Sequence, residues 1–242
     1  MRQALSRWSW RCERLVGWCL LLAAIVALGG CLKEDKPTFT KREAAVAMIG
    51  TLSYDALVKA GLGAGAGPQF SASANDVDAY CRSADFSEES AKALKVALTT
   101  TLPGDTDVRM QLWNVMNGIL SEDAKRVSSE FGPRWLSFGT CLESLHLALG
   151  LSAPTTAPTA QSQQMALDLA RASFASPMGT VLFQVARELP LPDKMKTHLD
   201  AAELTDTSDL ESCRAGAEHL RMLLQMSKAV SREGPEALDR FP

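Results

Sequence analysis

One helical stripe constrains the fold more than any other feature of this sequence. Apolar side chains between Pro133 and Leu149 recur at spacings of three and four residues, at Trp135, Phe138, Leu142, Leu145 and Leu149. This period places them on one face of an α-helix, so the face is predicted to pack against other helices. The same pattern recurs in a helix expected over 207–231, at Leu210, Cys213, Ala217, Leu220 and Leu224.

Start and stop signals divide the rest of the chain into further helices. Thr40-Lys41-Arg42-Glu43 forms a capping box before a broadly apolar stretch that Gly61 is expected to end. Ser87 is expected to cap a helix over about 88–101. Three more helices are predicted near 162–175, 178–188 and 192–202, before the helix over 207–231.

The segment between Pro103 and Pro133 is interpreted as two helices. Asp105-Thr106-Asp107 opens the first, which carries the apolar residues Val108, Leu112, Val115, Met116 and Ile119. Ser121-Glu122-Asp123 opens a short second helix that Gly132-Pro133 closes. No stretch shows the alternation of β-branched or aromatic residues that is typical of strands. The chain is therefore predicted to be all-α, an irregular multi-helix bundle of about seven to nine helices.

The first thirty residues have the composition of an export signal. Four arginines precede an apolar run over 15–28, and two glycines follow it before Cys31. As a helix the run would reach only roughly 21 Å, whereas the hydrocarbon core of a bilayer is roughly 30 Å thick. A cleaved signal is therefore favoured over a permanent spanning helix.

Leu28-Gly29-Gly30-Cys31 resembles the lipobox of bacterial lipoprotein precursors. The resemblance covers residues 1–31 only, and it implies a diacylglycerol thioether on Cys31, cleavage before that residue and acylation of the new amine, for example with palmitate. Leu32 stands where an aspartate would imply inner-membrane retention, so the resemblance favours the outer membrane facing the periplasm. The alternatives are an ordinary signal peptide cut after Gly29 and an uncleaved anchor.

The domain organisation follows from these segments. We expect a signal peptide over 1–30, a charged tether over 31–39 and a helical domain over 40–242. Residues 150–161 contain two prolines and lack apolar periodicity, so they form the best linker in the chain. One bundle with an exposed loop there is preferred, and a division into two helical domains at 150–161 is the alternative.

Three cysteines remain after export and lipidation, namely Cys81, Cys141 and Cys213. An oxidising compartment favours one disulfide and one free thiol, with Cys81–Cys141 or Cys141–Cys213 as the expected bridge. The alternative is three buried free thiols, because two of these cysteines lie on core-facing stripes.

Metal, cofactor and catalytic patterns are not found in the sequence. Cysteine and histidine are five residues apart at Cys141 and His146 and six apart at Cys213 and His219, whereas helical metal ligands share a face at spacings of three or four. The glycines over 61–67 lack the preceding strand that a dinucleotide-binding loop requires. No catalytic residue, metal site or cofactor is predicted.

Other polar residues receive structural interpretations. The three histidines, His198 included, are expected to be solvated or to flank core stripes. Carboxylates are assigned to the first turns of helices, where they favour the positive end of the helix dipole: Asp76, Asp78, Asp105 and Asp107.

The functional hypotheses combine these observations with the charge. Lys and Arg number 25 against 28 Asp and Glu, a formal net charge of −3 that argues against nucleic-acid binding. The leading hypothesis is a non-enzymatic, lipid-anchored protein that binds another envelope protein as an assembly or immunity factor. The alternative is a periplasmic enzyme or small-ligand carrier. A large apolar pocket lined by His146 or His219 and a carboxylate would favour the alternative, and an exposed apolar patch without a deep cleft would favour the first hypothesis.

Overall fold

The computed structural model describes residues 39–62, 68–99, 106–151 and 160–242. Within these ranges it contains nine α-helices and no strand, which confirms the all-α prediction. A short 3₁₀ helix, Pro235–Arg240, follows the last of them. The helices are α1 Lys41–Leu62, α2 Pro68–Ala84, α3 Glu88–Thr99, α4 Thr106–Val127, α5 Gly132–Leu151, α6 Ala160–Ala175, α7 Pro177–Glu188, α8 Asp193–Glu203 and α9 Leu210–Glu233.

Helix α1 forms the centre of the bundle. Its residues 44–49 are all buried, so this part of the helix is covered on every side rather than along one stripe. It packs against α2, α4, α5 and α9, and the predicted capping box is present at its start. The Glu43 carboxylate accepts a hydrogen bond from the Thr40 backbone N–H at 3.1 Å, and the Thr40 hydroxyl accepts one from the Arg42 N–H at 3.2 Å.

The contact between α1 and α5 is unusually close. A Cβ atom added to Gly50 would overlap the Leu136 carbonyl oxygen, and one added to Gly139 would overlap the Ala47 carbonyl oxygen. The Thr140 hydroxyl donates a hydrogen bond to the Gly50 carbonyl at 3.1 Å. Backbone therefore lies against backbone here, and we name this contact the glycine seam, defined by Gly50 and Gly139.

The apolar stripe of α5 is confirmed. Trp135, Phe138, Leu142, Leu145 and Leu149 are each no more than 1% exposed. The stripe of α9 is confirmed in part, because Cys213 and Leu220 are fully buried while Leu210, Ala217 and Leu224 are half-buried.

Several helix boundaries differ from the predictions. Helix α1 continues through Gly61 to Leu62 instead of ending at the glycine. The segment 106–127 is one helix, so Ser121 lies inside α4 and starts no new helix. Of the apolar residues in this segment, Met116 is buried, whereas Val108, Leu112 and Val115 are 52%, 47% and 63% exposed. A helical period identifies an apolar face, but it does not require that anything covers the face.

Helix α2 was not foreseen. Asp76 and Asp78 lie in its interior, so their assignment to helix starts was wrong. Both carboxylates instead form ion pairs, Asp76 with Arg232 at 2.8 Å and Asp78 with Lys95 at 2.5 Å. Asp107 does lie in the first turn of α4, and Asp105 lies outside the described residues.

Helices on both sides of the predicted linker contact one another. Helix α9 packs against α1 and α5, and residues from Thr38 to Pro242 form one compact unit. Residues 152–159, the predicted signal peptide, Cys31 and most of the predicted tether lie outside the described residues. None of the described helices combines the length and the apolar character that crossing a membrane would require.

Candidate functional site

Two cavities adjoin at three shared lining residues, Asp55, Ser73 and Glu143. The larger cavity has a volume of about 920 Å³ and lies among α1, α5, α6 and the start of α7. The smaller has a volume of about 390 Å³ and lies among α1, α2, α5 and α9. Asp55 and Glu143 lie about one turn beyond the glycine seam on α1 and α5, and Ser73 lies on α2.

The larger cavity has a mostly apolar wall. Val58, Leu147, Leu169 and Met178 contribute its aliphatic surface, and Tyr54 adds an aromatic ring. Its serine hydroxyls on the α6 side are engaged in local structure, because Ser173 donates to the Leu169 carbonyl and Ser176 caps α7. A cavity of this size and lining is typical of sites that bind small organic ligands.

Asp55 is the titratable group that the site perturbs most clearly. Burial raises its pKa to about 7, and the neighbouring Glu143 carboxylate acts in the same direction. The Ser73 hydroxyl donates a hydrogen bond to Asp55 Oδ2 at 3.3 Å and, like the more distant His146, opposes that rise. Near neutral pH the side chain is therefore poised between its protonated and ionised forms.

The smaller cavity holds more charge, but its cations have carboxylate partners of their own. Asp76 pairs with Lys228 at 3.4 Å and with Arg232 at 2.8 Å, and Arg221 pairs with Glu218. These pairs leave the carboxylates shared by the two cavities without a lysine or arginine partner among the described ion pairs.

Two further polar groups line the smaller cavity. His146 Nδ1 lies 3.8 Å from Glu143 Oε1. Tyr80 is only 2% exposed, and its hydroxyl makes no hydrogen bond of good geometry among the described residues, although Arg232 lies near enough to favour the ionised form. Burial nevertheless raises the pKa of Tyr80 to about 12, so the hydroxyl remains a potential donor to a ligand or water.

The other two histidines lie outside both cavities. His198 of α8 and His219 of α9 face each other with their Nδ1 atoms 3.0 Å apart. Burial, together with the neighbouring His219 ring, lowers the pKa of His198. Of the three histidines considered in the sequence, the structure brings only His146 to the candidate site.

The expected disulfide is absent among the described residues. Cys81, Cys141 and Cys213 are all free and buried, because α2, α5 and α9 place the sulfurs among different neighbours. Cys141 Sγ lies 3.6 Å from Met178 Sδ, and Cys213 Sγ lies 3.8 Å from the Asp206 carbonyl oxygen. Burial raises the pKa of Cys81 to about 12 and that of Cys141 to about 11, so both thiols stay protonated.

Sequence reasoning missed Asp55, Ser73 and Glu143. The signal that could have identified two of them is a carboxylate inside an otherwise apolar helix. Asp55 interrupts the apolar residues of α1, and Glu143 follows Leu142 directly within the most apolar segment of α5. An ionisable group at such a position needs either solvent or a partner.

Comparison of the chain with family models, with curated proteins and with solved structures finds no match.

Proposed function

We propose that this protein binds a small, largely apolar ligand in the larger cavity while a lipid on Cys31 tethers it to the cell envelope. The observation that carries the proposal is the cavity of about 920 Å³ whose apolar wall ends at Asp55 and Glu143. His146 lies beside the same carboxylates in the adjoining cavity. The larger cavity thus has the apolar wall and the carboxylates that favour a ligand carrier over a pure partner-binding protein, while the histidine lines the adjoining cavity.

The proposed anchor would place the cavity beside a membrane from which an apolar ligand could enter it. A lipid on Cys31 would hold the helical domain beside a membrane, where apolar small molecules concentrate. The lipobox resemblance favours the outer membrane facing the periplasm.

Cys31→Ser should accumulate as an uncleaved precursor that incorporates no palmitate, as seen by metabolic labelling. Normal cleavage of that variant would contradict the anchor.

Photolabelling tests the ligand site. The full chain is reconstituted in lipid nanodiscs and irradiated with a neutral six-carbon alkyl diazirine, and labelled peptides are identified by mass spectrometry. Labelling is expected on peptides that carry Leu147, Leu169 and Met178. Ala172→Trp places an indole at the cavity wall and should suppress that labelling, whereas Ala175→Trp on the exposed surface of the same helix should not. Equal labelling of both variants would contradict the proposal.

A second candidate function, binding of an envelope protein, is favoured by a different observation. Val108, Leu112 and Val115 are spaced along one face of α4 and are exposed to solvent. Crosslinking in intact cells should capture a defined partner that Leu112→Asp loses and that Asn114→Asp, on the same helix, retains. Capture that is insensitive to Leu112→Asp would contradict this candidate.

A further inference from the structure

We propose that the ligand of the larger cavity carries a cationic amine, which Asp55 and Glu143 bind while its apolar body fills the cavity. This inference rests on the proposed function and adds the chemical class of the ligand. It depends on where the two carboxylates lie, on the charges around them and on the hydrogen bonds that an ammonium group makes.

The two carboxylates lie where the cavities meet. Asp55 and Glu143 line both cavities, so a head group held between them lies at the junction. The wall beyond that junction, on the side of α6 and α7, is formed largely by Val58, Leu147 and Leu169. A ligand with one polar end and an apolar body therefore fits in a single orientation.

Charged side chains surround Asp55 on several helices. Glu143 and His146 of α5 act on it electrostatically. Asp76 of α2 lines the smaller cavity, as do Arg221 and Lys228 of α9. The cations of α9 are bound elsewhere, Arg221 by Glu218 and Lys228 by Asp76. Ser73 supplies one neutral hydrogen bond to Asp55. The junction is consequently an acidic position that, among the described ion pairs, lacks a matching lysine or arginine.

A ligand ammonium group fits this position chemically. It has three N–H donors and no acceptor, so it can donate to both carboxylates at once. Hydrogen bonds between charged groups are about twice as strong as neutral ones, and here they form away from bulk water. An anionic head group would instead place a third negative charge beside Asp55 and Glu143, at a high desolvation cost. The geometry thus selects cations over neutral and anionic analogues of equal size.

Amine binding is coupled to pH through Asp55. Because burial raises the pKa of Asp55 to about 7, a bound proton competes with the amine for this carboxylate below neutral pH. About one tenth of the side chain is ionised one pH unit below its pKa and about nine tenths one unit above it. The apparent affinity for an amine is expected to rise about tenfold between pH 6 and pH 8.

Competition against the diazirine probe tests the inference. Hexylamine, 1-hexanol and hexanoate are compared as competitors of cavity labelling in the nanodisc-reconstituted full chain. Hexylamine should compete at least about tenfold more effectively than 1-hexanol, and hexanoate should compete least. Asp55→Asn and Glu143→Gln should remove the preference for the amine while cavity labelling persists, which shows that the variants are folded. Asp168→Asn removes an exposed carboxylate of α6 and should leave the preference intact.

Three contrary results have different meanings. Equal competition by hexylamine and 1-hexanol, with normal labelling of the cavity, would overturn the inference and leave the proposed function in place. Labelling that ignores Ala172→Trp would overturn the proposed function and the inference together. Retention of amine selectivity in Asp55→Asn and Glu143→Gln would overturn the assigned head-group position.

Discussion

Two regions of the helix pair α1 and α5, one turn apart, have opposite characters. At the glycine seam the backbones touch, and no side chain fits between Gly50 and the Leu136 carbonyl. One turn later the same helices carry Asp55 and Glu143, and two cavities open beside them. Close packing at the seam and open space beyond it are therefore linked, because the backbone contact fixes the spacing of α1 and α5 at the point where the two carboxylates face the cavities.

Neighbouring residues on α5 provide the sharpest test of this difference. Leu142 is 1% exposed in the core, whereas Glu143 lines both cavities. Leu142→Ala should lower the free energy of unfolding by about 2–5 kcal/mol because it leaves a cavity among packed side chains. Glu143→Ala should cost less than about 1 kcal/mol, since the side chain leaves space that already exists. Urea titrations followed by tryptophan fluorescence measure both.

The same titrations test whether residues 40–242 unfold as one bundle. We predict a single transition that Leu142→Ala shifts as a whole, because α9 packs against both α1 and α5. Two transitions, of which Leu142→Ala moves only one, would indicate independent domains joined at 150–161.

The glycine seam can be broken by a single methyl group. Gly50→Ala is expected to destabilise the fold by about 1–3 kcal/mol, because the new Cβ would overlap backbone that cannot move independently of α5. Gly118→Ala is the matched control, since no atom lies within 4 Å of a Cβ placed there. That control should be stabilised by about 0.5–1 kcal/mol. If thermal melts showed equal effects for the two variants, backbone contact at the seam would be disproved.

The ionisation of Asp55 should make the free energy of unfolding depend on pH. The pKa of Asp55 is raised from 3.8 to about 7 in the folded chain, so its contribution to stability is fully present below about pH 4 and is lost as pH rises to about 7. Asp55→Asn lacks this loss. The variant should therefore gain on the wild type with increasing pH, by on the order of a few kcal/mol at most. A difference between the two that stays constant from pH 4 to pH 8 would refute the burial of an ionisable Asp55.

The smallest expected effect comes from the pair of His198 and His219. It concerns the loss of stability at acid pH, whereas Asp55 affects stability as the pH rises. Because the pKa of His198 is lowered from 6.5 in the folded chain, its contribution is lost as pH falls below about 6.5. His198→Gln should show a weaker loss of stability between pH 7 and pH 5 than the wild type. The effect is modest, since the rings of His198 and His219 are partly exposed. Identical acid profiles would contradict it.

The sequence predicts those parts of the fold that can be recognised from the apolar pattern of a single helix. The stripe from Trp135 to Leu149 is buried as expected, because its period alone defines a wide apolar face. Helix α2 was missed because its buried residues are interspersed with serine and aspartate and include no leucine or isoleucine, although they recur at helical spacing: Ala74, Val77, Tyr80, Cys81 and Ala84. The stripe at Val108, Leu112 and Val115 has the right period, but its exposure depends on which other helices pack nearby.

The candidate site lies beyond what a single helix can reveal. Asp55 and Glu143 come from helices far apart in the sequence, and only the crossing at Gly50 and Gly139 brings them to the same two cavities. Each residue could be recognised as an unusual carboxylate in an apolar helix. Their pairing depends on a contact between two backbones that leaves no periodic pattern in either helix.

The most direct test of the central claim is a titration of the Asp55 carboxyl group by carbon-13 NMR in the reconstituted full chain, with Asp55→Asn used to assign the signal. A midpoint near pH 7 is expected, because the group is buried beside Glu143 where the two cavities meet, and a lower midpoint is expected in Glu143→Gln. A midpoint near the ordinary value of 3.8, unchanged by Glu143→Gln, would show that Asp55 is not a buried neighbour of Glu143.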